Sequence, residues 1–342
     1  MTADPSLPFT MADVSTLVTG VVFGAALTLS NVFQPSVITS QLRLESFHML
    51  KVFLSATASS AIVIDVLGRF GIPKPQARSA SSIGRFGLYD ANILGGLLHG
   101  IGMAMTGACP GTVFVQLAAG IRSAFPTLAG GLVGGILFAR YGNGLKRPNV
   151  SPESIKSEAE TVASKFDLRA DFVLWGFEIL CFTIVGAPAF LSANDPGLVF
   201  SPVAGGLLIA LAQASSLILN GRALGISTTY DELGRSFWHF VGTDKTNPRP
   251  PLRTTTLALG IMLGSLILTS AMSTRIHEPS IPAIQAFAGG SIMIFGARLA
   301  GGCTSGHGIS GMSTFSIASI VTVASMFAGG IATALVPGLT LK

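Results

Sequence analysis

Charge is scarce in this chain. Only 11% of its 342 residues are Asp, Glu, Lys or Arg, where soluble domains carry about 25%. So few charges cannot cover a water-facing surface, which excludes an ordinary soluble globule and leaves most of the surface to lipid. Cysteine is scarcer still. Cys109, Cys181 and Cys303 are the only three, too few for a disulfide framework. No nucleotide-binding motif is present, so direct use of ATP is not expected. His99 and His307 are not spaced as metal ligands and have no carboxylate near them in sequence, so neither a metal nor a cofactor is expected. The start, Met1 to Pro5 with Asp4, lacks the basic opening of a secretory signal peptide. The first apolar run is therefore expected to be a retained helix.

What the chain has in quantity is apolar surface and glycine. It is 49% hydrophobic, with a mean hydropathy of +0.64 and 41 glycines. Small residues let helix backbones approach closely in membranes. A transmembrane helix needs about 20 mostly apolar residues. Candidate spans are 17–40, 48–68, 88–106, 122–141, 171–192, 200–220, 254–273, 284–300 and 313–337. Two apolar pieces, 111–121 and 224–240, do not fit as full spans. The first reads as a half-helix returning from a break in the membrane. The net charge of +5 comes from cations in short loops between apolar runs, which is topology information. The implied partner is a lipid bilayer, not nucleic acid.

Two segments match each other with an offset of 194 residues. Gly95, Gly96, Gly102, Gly107 and Cys109 correspond without a gap to Gly289, Gly290, Gly296, Gly301 and Cys303. The chain thus reads as a first membrane repeat (1–141), a polar linker (142–170) and a second repeat (171–342). The linker carries Lys146, Arg147, Lys156, Lys165 and Arg169 against Glu153, Glu158, Glu160 and Asp167, and reads as a solvated connection. The loop before the first motif carries Arg69, Lys74, Arg78 and Arg85, whereas the equivalent loop before the second carries only Arg275. If positives mark the cytoplasmic side, the two loops lie on opposite faces. The loop at 241–253, with Lys245, Arg249 and Arg253, falls inside with the linker. That is the pattern of an inverted repeat, with its site at the interface of the halves near the bilayer midplane. The expected fold is an all-α polytopic membrane protein built on an inverted, pseudo-two-fold repeat with broken half-membrane helices.

The breaks carry the chemistry. In Thr106-Gly107-Ala108-Cys109-Pro110-Gly111-Thr112, Pro110 lacks an N–H and disfavours helix before it, yet suits the first turn of a new one. A helix should end near Gly107 and another begin at Pro110. Broken backbone at membrane depth is tolerated only where it is buried in protein or lines a cavity. The new N-terminus would favour an anion. The second break, Gly301 to Gly311 with Cys303, Ser305, Gly306 and His307, is glycine-rich, and Thr304 and Ser305 are candidate caps. Hydroxyls, amides and a thiol converge with no carboxylate, which is an anion-binding composition. Arg298 sits inside an apolar span. A charge there is costly; it is either functional, or it snorkels or pairs with a buried acid, and both readings stand. A thiol is a weak donor that suits a soft, sulfur-terminated anion. Cys181, in a plain apolar helix, reads as a small buried hydrophobe. His99 reads as an interior histidine, and His307 either contacts substrate or shapes its turn. Lys51 and Asp65 either pair with neighbours or lie near the ends of their span. Asn31, Gln34, Pro35 and Ser36 interrupt the first span and are candidates to line a path. The glycine pairs at 95–96, 130–131 and 134–135 read as packing.

The elements Gly102-Met103-Ala104-Met105-Thr106-Gly107-Ala108-Cys109-Pro110-Gly111 and Gly296-Ala297-Arg298-Leu299-Ala300-Gly301-Gly302-Cys303-Thr304-Ser305-Gly306-His307-Gly308-Ile309-Ser310-Gly311 resemble the YeeE/YedE family of sulfur-compound transporters. The resemblance spans nearly the whole chain. It implies a pseudo-two-fold membrane protein with short helices entering from both faces. In the family's thiosulfate transporters, cysteines along a central path act as S–H donors to the passing ion, a role that carries over to Cys109 and Cys303. Those transporters have a further cysteine early in the first half, and the region from Asn31 to Val37 has none. Some family members are linked to selenium or other sulfur species.

The expected function is transport of thiosulfate, or a related small sulfur anion, across the plasma membrane, without enzyme chemistry. The rival is a membrane sulfurtransferase that passes a persulfide sulfur to a soluble carrier protein; a selenium-compound transporter is a further alternative. The expected path residues are Cys109, Cys303, Thr106, Pro110, Gly111, Arg298, Thr304, Ser305, Gly306 and His307.

Overall fold

The computed structural model describes residues 11–145, 159–191, 200–242, 251–272 and 280–336. The expectations placed on Met1 to Pro5, Lys146, Arg147, Glu153, Lys156, Glu158, Lys245, Arg249 and Arg275 lie outside these residues. Among the described residues the fold is helical, and the one β-type contact is an isolated bridge between Thr161 and Ser316.

The first half contains α1 (Met11–Leu29), the short α2 (Pro35–Leu42), α3 (His48–Arg69), α4 (Asp90–Thr106), the short α5 (Thr112–Ala118) and α6 (Ala124–Leu137). A π-helical turn, Phe138–Gly142, and α7 (Asn143–Leu145) extend α6. One turn, α8 (Val162–Lys165), and a long helix, α9 (Ala170–Leu191), follow. The second half contains α10 (Pro202–Asn220), α11 (Thr228–Phe240), α12 (Arg253–Ala271), α13 (Ala283–Ala300), a π-helical segment (Thr304–Gly311) and α14 (Ile317–Ala334). Six of these helices, α1, α3, α10, α12, α13 and α14, are long and apolar enough to cross a membrane by length and composition. Their bare faces agree. Leu207, Leu211 and Ile218 of α10, and Leu259, Leu263 and Ile267 of α12, stand exposed, as lipid-facing side chains must.

The expected span 17–40 is not one helix. α1 stops at Leu29, Asn31 takes a left-handed φ of 60°, and Pro35 opens α2. Proline cannot extend the helix before it, and a left-handed residue breaks it outright. The chain therefore turns back, and His48 at the start of α3 hydrogen-bonds the Ser30 carbonyl at 2.9 Å through Nε2.

Glycine lets the halves interleave. On α4, Gly95 lies against Gly296 and Ala300 of α13, and Gly102 against Gly289 and Met293. The order of these contacts makes α4 and α13 antiparallel. Gly96 and Gly100 set α4 parallel to α14, meeting Thr322 and Met326 in turn. Gly130 and Gly134 set α6 parallel to α13, meeting Phe287 and Ser291. Gly20 and Gly24 seat α1 on α12, and Gly205 and Gly206 seat α10 on the start of α3. At each of these sites an added Cβ would run into neighbouring atoms, mostly backbone, so the glycine content serves close helix packing.

The end of the linker is not free. Ile317 N–H donates to the Glu160 carbonyl at 3.0 Å and Val162 N–H to the Phe315 carbonyl at 2.9 Å. The Tyr89 hydroxyl donates to the Glu160 carboxylate at 2.6 Å. Burial, then the carboxylate, pushes the Tyr89 phenol up to about 12. Residues 159–165 thus strap onto the start of α14 beside the second break.

Candidate functional site

Both breaks form at left-handed glycines. α4 ends at Gly107 (φ 58°) and α13 at Gly301 (φ 91°), the backbone conformation that only glycine adopts cheaply. The 194-residue register places these caps at equivalent points.

After Gly107 the helix does not restart at Pro110. Pro110 and Gly111 form a turn, and α5 begins at Thr112. The reason is a local exchange of bonds. Cys109 N–H donates to Thr112 Oγ1 at 2.7 Å, and Thr112 N–H donates to Cys109 Sγ at 3.4 Å. The sulfur thereby takes one of the donors that a helix start leaves unpaired. Gln116 holds the break from behind. Its Nε2 donates to the Phe33 and Gly107 carbonyls at 2.8 and 2.9 Å. The Thr106 hydroxyl bonds back to the Gly102 carbonyl at 2.8 Å and accepts the Ala108 N–H at 3.3 Å.

At the second break, Cys303 precedes the π-helical segment and no side chain caps it. Thr304 and Ser305 are not the expected caps, because their hydroxyls are engaged elsewhere. His99 Nδ1 meets the Met293 carbonyl at 3.0 Å, which can only accept, so Nδ1 carries the proton. In the neutral ring Nε2 then accepts the Thr304 hydroxyl at 3.1 Å. The Ser305 hydroxyl lies 3.3 Å from Cys303 Sγ. His307 shapes the turn. Its Nε2 donates to the Ala300 carbonyl at 3.1 Å, and its Nδ1 pairs with the Ser319 hydroxyl at 2.9 Å.

Cys303 Sγ is buried among donors. The Ser305 hydroxyl is its hydrogen-bond partner, and Gly306, Ile226 and Ser227 are its other polar neighbours. They come from the break itself and from the loop before α11, elements that no sequence pattern brings together. Arg298 lies within electrostatic reach of Cys303, but the partners it touches are elsewhere. It pairs with Asp231 of α11 at 3.4 Å, reaches the Thr228 hydroxyl at 3.5 Å and lies 5.7 Å above the Phe138 ring. Of the two readings for an intramembrane arginine, the structure places it in the paired one.

The breaks share one cavity of about 60 Å³. A single water needs roughly 10–15 Å³, so the space suits a small ion. Cys109, Gly111 and Thr112 line it from the first break, and Thr304, Ser305 and Ile309 from the second. Phe23, Leu27, Val52 and Phe53 are among the apolar residues that wall it. Of the expected path residues, Cys109, Gly111, Thr304 and Ser305 face this space, with Cys303 behind Ser305. Thr106, Pro110, Arg298, Gly306 and His307 do not line it. Cys181 is buried away from it, on α9.

A match to the sulphur transport family runs from residue 29 to residue 332. The chain belongs to that family. A probable transporter of Xylella fastidiosa (strain 9a5c) is 32% identical over 140 residues, which is 40% of this chain and 94% of that protein. The thiosulfate transporter TsuA of Spirochaeta thermophila is 25% identical over 329 residues, which is 89% of this chain and 92% of that protein. The matched region contains both breaks and every helix that lines the cavity except α1, of which only Leu29 falls inside it.

Two residues of this family member's site carry no sequence signal. Arg78 was visible only as a loop cation, yet its side chain lies on the second break, donating to the Gly306 and Gly301 carbonyls at 2.8 and 3.0 Å. Tyr230 is wholly buried and its hydroxyl donates to the Pro110 carbonyl at 3.0 Å. It latches α11 of the second half to the first break. Removing the hydroxyl would strand a buried carbonyl, a cost of about 1–3 kcal/mol. Tyr230→Phe is expected to lower the melting temperature in detergent by several degrees and to slow uptake several-fold. An unchanged melting curve would show that the latch holds nothing.

Proposed function

We propose that this chain carries thiosulfate, or a closely similar small sulfur anion, across the plasma membrane through the cavity between the two breaks. The observation that carries the reading is the shared cavity, which is lined by Cys109 and by small residues of both motifs and is almost wholly apolar. An apolar wall with few donors penalises a strongly hydrated ion. A soft anion with a terminal sulfur loses less on entry and matches a weak S–H donor. Cys109 meets it in the cavity and Cys303 follows behind Ser305. Weak successive contacts are what passage requires. The ion crosses without covalent change, so no enzyme step is needed. The similarity to a thiosulfate transporter over most of both chains supports this choice of substrate.

The same reading takes residues 1–141 and 171–342 as inverted halves joined by the linker at 142–170. α4 and α13 are equivalent by register yet antiparallel in contact. α1, α3, α4 and α6 give four crossings, and α9 adds a fifth, so α10 re-enters from the opposite face. The half-sized relative, which matches 40% of this chain with 94% of itself, agrees with a unit that exists alone.

The test is growth of a strain deficient in sulfur uptake on thiosulfate as sole sulfur source. Rescue is expected. No rescue, with the protein confirmed in the membrane, would refute thiosulfate passage and direct the test to selenium and other sulfur oxyanions. One observation favours a second reading. The donor cluster around Cys303 is also what a persulfide-carrying thiolate requires, with a soluble sulfur-carrier protein as the acceptor. Intact mass spectrometry after thiosulfate exposure separates the two, because only in the relay does the Cys303 thiolate attack the outer sulfur of thiosulfate, breaking its S–S bond, releasing sulfite and leaving a persulfide on Cys303.

A further inference from the structure

The two breaks are alike in backbone and unlike in what holds them. At the first, the carbonyl exposed by the left-handed cap, that of Gly107, is held by the neutral amide of Gln116. At the second, the equivalent Gly301 carbonyl, together with that of Gly306, is held by a guanidinium. Two glycines make the seat for it. A side chain at Gly302 would meet Arg78 Nη1 at 3.3 Å, and one at Gly306 would meet Nη2 at 2.9 Å. Both glycines flank the Cys303 to Ser305 stretch, and Arg78 lies within electrostatic reach of the Cys303 sulfur. Among the described residues Arg78 has no acid partner, and every ion pair is made by other cations. Arg78 spends two donors on carbonyls, while a guanidinium has five in a fixed fork. It is partly exposed on the cation-bearing loop between α3 and α4.

We propose that Arg78 forms an anion-binding subsite at one mouth of the path, holding the sulfur oxyanion through its free N–H groups on the outer side of Cys303. The inference rests on the transport reading above. Without Arg78, an anion at this mouth would face two carbonyl oxygens and the negative end of α13. With it, the carbonyls are neutralised and the spare donors match an oxyanion edge. Among the described residues no cation holds the first break, so the subsite belongs to one face of the membrane and makes the path asymmetric. On the topology proposed above, that face is the cytoplasmic one.

The test is uptake of radiolabelled thiosulfate into proteoliposomes by wild type, Arg78→Gln and Arg78→Lys. Arg78→Gln is expected to raise the half-saturating concentration at least 10-fold. Arg78→Lys keeps the charge but cannot fork onto both carbonyls, and is expected to stay within 3-fold of wild type. Equal loss of maximal flux in both variants, with half-saturation unchanged, would make Arg78 a backbone clamp and overturn the proposal. So would a wild-type-like Arg78→Gln. If wild type itself passes no thiosulfate, the transport reading fails, and the subsite is then judged by melting of the solubilised protein with thiosulfate, sulfite or selenite. Stabilisation by one of these anions that Arg78→Gln abolishes sustains the subsite; its absence from wild type, or its persistence in the variant, overturns it.

Discussion

Cys303→Ala is expected to abolish growth on thiosulfate and to cut uptake by about 100-fold or more, with the protein still in the membrane. The size follows from two losses. The first is the thiol contact to the ion, worth about 1 kcal/mol as an ordinary hydrogen bond. The second is larger. Cys303 Sγ pairs with the Ser305 hydroxyl at 3.3 Å, with Gly306, Ile226 and Ser227 as polar neighbours. Deleting it leaves that buried hydroxyl without its partner, a cost of about 1–3 kcal/mol. The break would move to satisfy it, and Ser305, which lines the cavity, would move with it. Cys109→Ala removes less, since its sulfur accepts chiefly from the neighbouring Thr112. About a 10-fold loss is expected there, the effect of one contact at 1.4 kcal/mol per decade. Cys303→Ser separates donor chemistry from scaffolding. A hydroxyl keeps the donor cluster satisfied, so the melting temperature should stay near wild type while thiosulfate uptake still falls. Serine at full activity would sink the argument that the thiol's softness matters.

How much of this was legible beforehand varies with distance along the chain. Features written locally came through. The apolar runs at 48–68 and 284–300 became α3 and α13 almost residue for residue, because about 20 apolar residues leave little choice in lipid. The left-handed caps at Gly107 and Gly301 follow from the repeat register and from glycine's freedom at positive φ. The start of α5 was misplaced by two residues. Proline at a first turn is a preference, and the Cys109–Thr112 bond pair outweighs it. Thr304 was read as a cap because it stands at the head of a segment, yet its hydroxyl is bound to His99, 205 residues away in sequence. Arg78 shows the limit best. Its 228-residue separation from Gly306 leaves no periodicity or spacing to detect. A single loop arginine in sequence says only which side is positive. The meeting of the two breaks in one cavity is likewise a product of helix packing, which glycine content foreshadows only in general.

Arg298 supplies the second large effect, and its test decides whether it serves the path or the frame. Its guanidinium is largely buried against Asp231, which also binds Arg235 at 2.7 Å. Asp231→Ala removes the acid that both cations pair with. Arg235 is half exposed and can turn to solvent. Arg298 is 15% exposed and cannot. Breaking a buried pair by deleting one partner costs about 3–5 kcal/mol, whereas replacing both by apolar residues of similar size is often neutral. Asp231→Ala is therefore expected to lower the melting temperature strongly and to deplete the protein from the membrane. Asp231→Leu combined with Arg298→Met is expected to restore both. If that double variant also restores thiosulfate uptake, Arg298 is a strut that ties α13 to α11 and carries no part of the ion's path. If it folds and remains inactive, the charge itself is needed, and the path must extend from the cavity to α11. Its contacts argue for the first outcome, because the cavity is lined by α1, α2, α3, α10 and the two breaks, whereas Asp231, Thr228 and Phe138, which Arg298 meets, are not among the lining residues.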